Sequence, residues 1–138
     1  MKSKASVALM GIILIGFLST LAFGQEKEAE NPALRVAEAV VCRGIEDRAP
    51  VGAGDVFQAD IQRVFCFVRI VGAQTETAIE HKWYHQSQLV ATVRLPVKSD
   101  NWRTYSSKGI GPENTGEWMV EICSTDGVPL NKIIFLVE

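Results

Sequence analysis

The sequence has few of the residues that usually announce a chemistry. Among 138 residues there are two histidines and three cysteines, and only 22% are charged, with 14 Lys and Arg against 16 Asp and Glu. The basic residues form no cluster, so the dense positive charge that a phosphate backbone requires is missing and nucleic acid is not an expected partner. There is no Gly-x-Ser-x-Gly elbow and no Gly-rich phosphate loop. No Cys-x-x-Cys-His occurs, which excludes covalent haem attachment. Glu46 and Asp47 lie between Arg43 and Arg48 and read as a solvated charge cluster rather than a catalytic carboxylate pair. His81 and His85 are four apart, a spacing that brings two rings to one zinc ion on a helix. On a strand it separates them by about 13 Å, and residue 82 is Lys where the zinc-helix motif has Glu. Neither a metal site nor a cofactor is expected. A Ser/His/Asp arrangement stays open on residue types alone, because serines are many.

What is present is apolar. Hydrophobic residues make up 47% of the chain, enough for one globular domain, too many for a disordered chain and too few for a multi-span membrane protein. Lys2 and Lys4 precede an apolar run from Val7 to Phe23, and Ala22 and Gly24 place small residues before Gln25. A positive start, an apolar stretch and a small-x-small site read as a secretory signal peptide. The alternative is an uncleaved anchor, but a run of about 17 residues is at the lower limit for spanning a bilayer, and Gly11, Gly16, Ser19 and Thr20 dilute it. The expected organisation is a signal peptide over 1–24, a charged linker over 25–36 and a β-domain over 37–138. The expected location is periplasmic or secreted, with no membrane contact beyond the signal segment. Such a compartment permits disulfides.

From Ala37 onward, short apolar runs alternate with turn residues. Strands are predicted over about 39–45, 59–71, 76–84, 89–97, 102–108, 117–124 and 130–137. The second, with Val64, Phe65, Cys66, Phe67, Val68 and Ile70, is almost continuously apolar, as a strand covered on both faces would be. The fourth alternates Leu89, Ala91, Val93 and Leu95 with Val90, Thr92, Arg94 and Pro96. Thr125-Asp126-Gly127 signals a tight hairpin. The third segment has a helical alternative, since Ile79 and Trp83 lie four apart. Strand is preferred because Ile79, His81 and Trp83 also alternate. Seven strands in about 100 residues predict an all-β antiparallel sandwich, immunoglobulin-like.

The three cysteines leave two pairings to weigh. Bridging Cys66 to Cys123 beneath Trp83 would follow the immunoglobulin pattern. Parity opposes it: Trp118, Val120 and Ile122 face inward, so Cys123 faces out. If the first two strands pair around the glycine-rich loop centred on Gly54, Cys42 comes opposite Cys66 within reach of a disulfide. Such a bond would contribute roughly 3 kcal/mol. Three unbonded thiols are the alternative, and none has the setting of a catalytic cysteine.

The stretch with most promise for binding is Trp102-Arg103-Thr104-Tyr105-Ser106-Ser107-Lys108. As a strand it puts Trp102, Thr104 and Ser106 on one face and Arg103, Tyr105 and Ser107 on the other. Aromatic area beside fixed donors is what sugar and peptide sites use. His81-Lys82-Trp83-Tyr84 carries similar chemistry, although Trp83 and Trp118 are expected in the core. The candidate ligand-binding residues are Trp102, Arg103, Tyr105, Lys108, His81 and Tyr84, with no catalytic residues assigned.

Several of these stretches occur together and in order: Val41-Cys42-Arg43-Gly44, Arg48-Ala49-Pro50-Val51-Gly52, Phe65-Cys66-Phe67, His81-Lys82-Trp83-Tyr84, Leu95-Pro96-Val97, Trp102 to Lys108, and Gly116-Glu117-Trp118-Met119-Val120. Over about Val40 to Val137 the chain resembles a bacterial family catalogued as domain of unknown function 2914 (DUF2914). The resemblance implies an extracytoplasmic β-rich domain and no established activity. It favours pairing of Cys42 with Cys66, both at family-like positions, and marks Cys123 as a departure. The leading expectation is an exported, non-catalytic module that binds an envelope protein or a glycan. The alternatives are a structural subunit assembling through an edge strand and a small envelope hydrolase.

Overall fold

The computed structural model describes residues 34–138. The expected signal peptide and nearly all of the expected linker lie outside the described residues. The chain forms β1 (Arg35–Cys42), β2 (Gly44–Glu46), β3 (Ala49–Val51), β4 (Val56–Phe57), a 3-10 turn over Ala59–Ile61, and then β5 (Arg63–Val71), β6 (Thr77–His85), β7 (Gln88–Val97), β8 (Asn101–Gly109), β9 (Gly116–Ser124) and β10 (Pro129–Val137). All seven predicted strands are present, and the segment with a helical alternative is β6. The first strand begins at Arg35, two residues inside the expected linker, and ends at Cys42. Strand β2 overlaps the end of the strand predicted over about 39–45, β3 lies in the predicted loop, and β4 follows it. A 3-10 turn replaces the first residues of the strand predicted over about 59–71.

Two sheets face each other as an open sandwich. One has the order β1-β5-β8 and the other β4-β10-β9-β6-β7, while β2 and β3 pair separately as a hairpin. All pairings are antiparallel except that of β4 with β10. At the sides β1 approaches β10, and β7 approaches β8.

Strand parity explains the core. Val64, Cys66, Val68 and Ile70 from β5 meet Ile79 and Trp83 from β6, Trp118, Val120 and Ile122 from β9, and Phe135 and Val137 from β10. Burying each such side chain contributes about 1.5–3 kcal/mol. Phe135 lies parallel to Trp118, with centroids 6.0 Å apart, and edge-on to Trp83 and Phe57 at 6.3 and 5.8 Å. The continuous apolarity of β5 has a separate cause. Its outward Phe67 is only 2% exposed, because the β2–β3 hairpin packs over the outer face of the three-stranded sheet. Edge strand β7 has only one covered face, and its outward Thr92 and Arg94 are exposed.

The register corrects the expected opposition of Cys42 and Cys66. Cys42 lies opposite Phe65, and Cys66 opposite Val41. A one-residue offset places the two side chains on opposite faces of the sheet. The symmetric-loop argument fails because the chain does not turn directly from β1 into β5. It detours through the β2–β3 hairpin, β4 and the 3-10 turn, which ends at Gln62 with φ +70°. Cys66 points into the core, and Cys42 points outward, donating to the Gly44 carbonyl at 3.2 Å. Cys123 points away from the core, as parity required, and its Sγ donates to Glu121 Oε1 at 3.1 Å. All three thiols are free and buried. Burial is the main cause raising each thiol pKa; Cys123 is pushed up to about 11, with Glu121 adding to the effect.

Candidate functional site

Strand β8 distributes the sequence candidates over both faces of its sheet. Arg103 and Tyr105 point outward and are exposed, Tyr105 at 48%. Trp102 is half-buried and packs against the core edge. Lys108 has the parity of Trp102 and lies opposite the buried Val64. Tyr84 lies on the outer face of the other sheet, paired with Met119 and Leu89. The six candidates therefore form no single site. Only Arg103 and Tyr105 share one.

That site lies on the outer face of the three-stranded sheet, where two hollows meet. One, of about 280 Å³, is lined by Ile45, Arg48, Phe67, Arg103, Thr104 and Tyr105. The other, of about 260 Å³, is lined by Arg48, Asn101 and Arg103. Arg48 and Arg103 line both and so mark the waist between them. The floor is apolar: Phe67 lies across from Tyr105 in the β5–β8 register, and Tyr105 leans on Phe65 with centroids 6.0 Å apart at 56°. The wall comes from the β2–β3 hairpin, which turns at Asp47 and Arg48 with φ of 49° and 62°. Two successive left-handed residues twist a two-residue hairpin loop to match its strands, and this turn presents Arg48 to the face. A larger hollow of about 580 Å³ lies between the Gly72–Glu76 and Lys98–Asp100 loops. Its charged residues are of both signs and no aromatic lines it.

His81 lies elsewhere, fully buried between the sheets. Its Nδ1 is 2.6 Å from Ser106 Oγ, which also accepts a hydrogen bond from Trp83 Nε1 at 3.0 Å. Its Nε2 has no partner. Burial lowers the imidazole pKa to about 4, so the ring is neutral at pH 7. A serine beside a histidine is the spacing of a nucleophile and its base. Here Ser106 is 5% exposed and His81 0%, and none of the three hollows is lined by either. The arrangement joins the sheets and offers no substrate a path. His85 lies at the strand end, its Nε2 2.8 Å from the Thr115 carbonyl and its ring stacked on Trp118 at 4.5 Å. Among the described residues no group of three or more His, Cys, Asp or Glu side chains converges.

Sequence reasoning missed Arg48, Ile45, Phe67 and Asn101. For Phe67 a signal existed, since a strand apolar on both faces requires a cover on each. For Arg48 there was none, because Asp-Arg is not a dipeptide that announces a left-handed hairpin turn.

No curated protein matches the chain. The model of one family matches residues 76–137. The matched segment spans β6 to β10 and contributes Asn101, Arg103, Thr104 and Tyr105 to the site. It starts later than the resemblance read from the sequence, so the motifs around Cys42, Arg48 and Cys66 precede it. That model is the one described as Protein of unknown function (DUF2914), and this part of the chain is similar to that family.

Proposed function

We propose that this protein is an exported, non-catalytic module that binds a glycan of the cell envelope on the outer face of its three-stranded sheet. The observation that carries the reading is the meeting of the two hollows on that face: an apolar floor at Phe67 and Tyr105 beside the donors of Arg48, Arg103 and Asn101. Apolar area with a few convergent polar groups is the usual make-up of a small-ligand site. Export rests on the N-terminal Lys2, Lys4 and Val7–Phe23 pattern. The long strands support an immunoglobulin-like sandwich: in chain order they lie as first-second-fifth in one sheet and seventh-sixth-third-fourth in the other. Assembly through an edge strand is the weaker reading. Edge strand β7 carries the charge of Arg94, the missing donor of Pro96 and a bulge near Tyr84, all of which obstruct pairing with a further strand.

The test is calorimetric titration of the protein with peptidoglycan fragments and envelope oligosaccharides, beside a Tyr105→Ala variant. Saturable binding by the wild type, lost in a variant that melts at the same temperature, is the expected result. Absence of saturable binding to every glycan overturns the reading.

A further inference from the structure

The charges around the binding face are unbalanced in one direction. In the β1–β5–β8 register, Glu38, Arg69 and Arg103 form a row across the outer face. Arg69 and Arg103 lie directly opposite one another, a like-charge pairing that costs stability. Glu38 flanks Arg69 on the far side and offsets one charge. Arg69 also donates to Asn101 Oδ1 at 3.4 Å, a neutral acceptor. Arg103 and Arg48 line the shared waist of the two hollows, and no carboxylate side chain lines either hollow. Glu46 and Asp47 precede Arg48 in the chain but line neither hollow. Two exposed arginines thus converge on one spot, with a third next in register.

We propose that the glycan unit held here is acidic: a sugar ring bearing an oxyanion, with the oxyanion gripped between Arg48 and Arg103 and the ring lying against Tyr105 and Ile45. This inference rests on the binding-face reading above. Guanidinium forks match the two oxygens of a carboxylate or the face of a phosphate, and such charge-assisted bonds are about twice as strong as neutral ones. The oxyanion also relieves the repulsion between Arg69 and Arg103. Size restricts the ligand further. Each hollow falls below the roughly 300–1,000 Å³ of a typical small-molecule pocket, so a single ring with its anionic group fills the pair. Tyr105 is braced by Phe65, so little ordering entropy opposes stacking on it.

The experiment titrates the protein with an oligosaccharide of glucuronic acid, its neutral methyl ester, glucose 6-phosphate and inorganic phosphate, and repeats the series with Arg48→Gln and Arg103→Gln. Hydrogen bonds to charged groups are worth about 1.5–3 kcal/mol, so the ester and each variant are expected to bind about tenfold or more weakly than the acid binds the wild type. Both arginines are exposed, so the melting temperatures of the variants should match the wild type. Preference for the sugar phosphate over the uronate identifies the oxyanion as phosphate and supports the proposal. Equal binding of acid and ester, unaffected by either variant, overturns the acidic ligand and leaves the binding face standing. Equal binding of inorganic phosphate and sugar phosphate overturns the role of the ring. Failure of the wild type to bind any of the four probes overturns the acidic ligand. Saturable binding of a neutral envelope glycan in the calorimetric test would then still uphold the face.

Discussion

Nδ1 of His81 on β6 lies 2.6 Å from Oγ of Ser106 on β8, and this bond joins the two sheets through the middle of the core. Trp83 donates to the same oxygen. A hydroxyl has one proton and two lone pairs, so Ser106 can accept from the indole and donate to the imidazole at once. Whichever ring nitrogen carries the proton, Nε2 faces the core without a partner. An orphaned buried polar atom costs about 1–3 kcal/mol, a cost borne by the surrounding apolar packing.

The first prediction concerns pH. The His81 imidazole titrates near 6.5 when free and near 4 when folded, because burial opposes its charge. Between those values the unfolded chain binds a proton that the folded chain does not. The His81 contribution is therefore complete above pH 6.5, falls as pH drops through that window, and stops falling below pH 4. A shift of this size corresponds to about 3 kcal/mol. Urea unfolding at pH 7.5, 5.5 and 4.5 should show the loss, and His81→Gln should flatten it. An unfolding free energy that does not change over this range would refute the buried neutral ring.

Ser106→Ala should destabilise the protein by about 2–5 kcal/mol, because it leaves two buried partners, His81 Nδ1 and Trp83 Nε1, unsatisfied. A loss below 1 kcal/mol in denaturant unfolding would mean that the bond between the sheets contributes little. Loss of the midpoint with an unchanged m-value is the expected form.

The long strands were legible in the sequence because each carries its own period. Ile79, His81 and Trp83 alternate on β6, and Trp118, Val120 and Ile122 on β9. The outward orientation of Cys123 followed from the same parity. What could not be read was anything set by pairing across the chain. The offset that parts Cys42 from Cys66 arises in a detour whose strands are two or three residues long, too short to show a period. The site was half legible for the same reason. Arg103 and Tyr105 share a face by alternation, but Arg48 joins them only through the hairpin packed across β5. Trp102 carries the most aromatic area of the stretch, and its parity turns it to the core edge.

Thiol chemistry checks the corrected register. With Cys42 and Cys66 on opposite faces and all three cysteines buried with raised pKa values, the folded protein should react negligibly with Ellman's reagent at pH 7.5. In guanidinium chloride without reductant, all three thiols should titrate. A single reactive thiol after unfolding would mean that two cysteines are bonded, and peptide mapping would identify which.

Export makes a prediction of its own. If the N-terminal segment is a cleaved signal peptide, the protein recovered from its source cell should begin at Gln25. Intact mass spectrometry of the chain from a periplasmic or secreted fraction reads this directly. A chain that keeps Met1 and remains in the membrane fraction would instead mark the apolar run as an anchor.

The turn that presents Arg48 also carries a cost. Arg48 adopts φ 62° after Asp47 at 49°, a conformation that side chains other than Gly, Asn and Asp rarely take. Asp-Gly is among the preferred pairs for such a hairpin turn. Arg48→Gly should therefore stabilise the fold by about 0.5–1 kcal/mol, the gain from relieving a strained residue less the added freedom of glycine in the unfolded chain. The same variant removes one jaw of the oxyanion site and should bind the acidic sugar as weakly as Arg48→Gln does. A variant that is more stable and binds less would show strain retained at this position for binding, as functional sites do elsewhere. If Arg48→Gly is no more stable than the wild type, the turn is relaxed as it is, and arginine there needs no functional explanation.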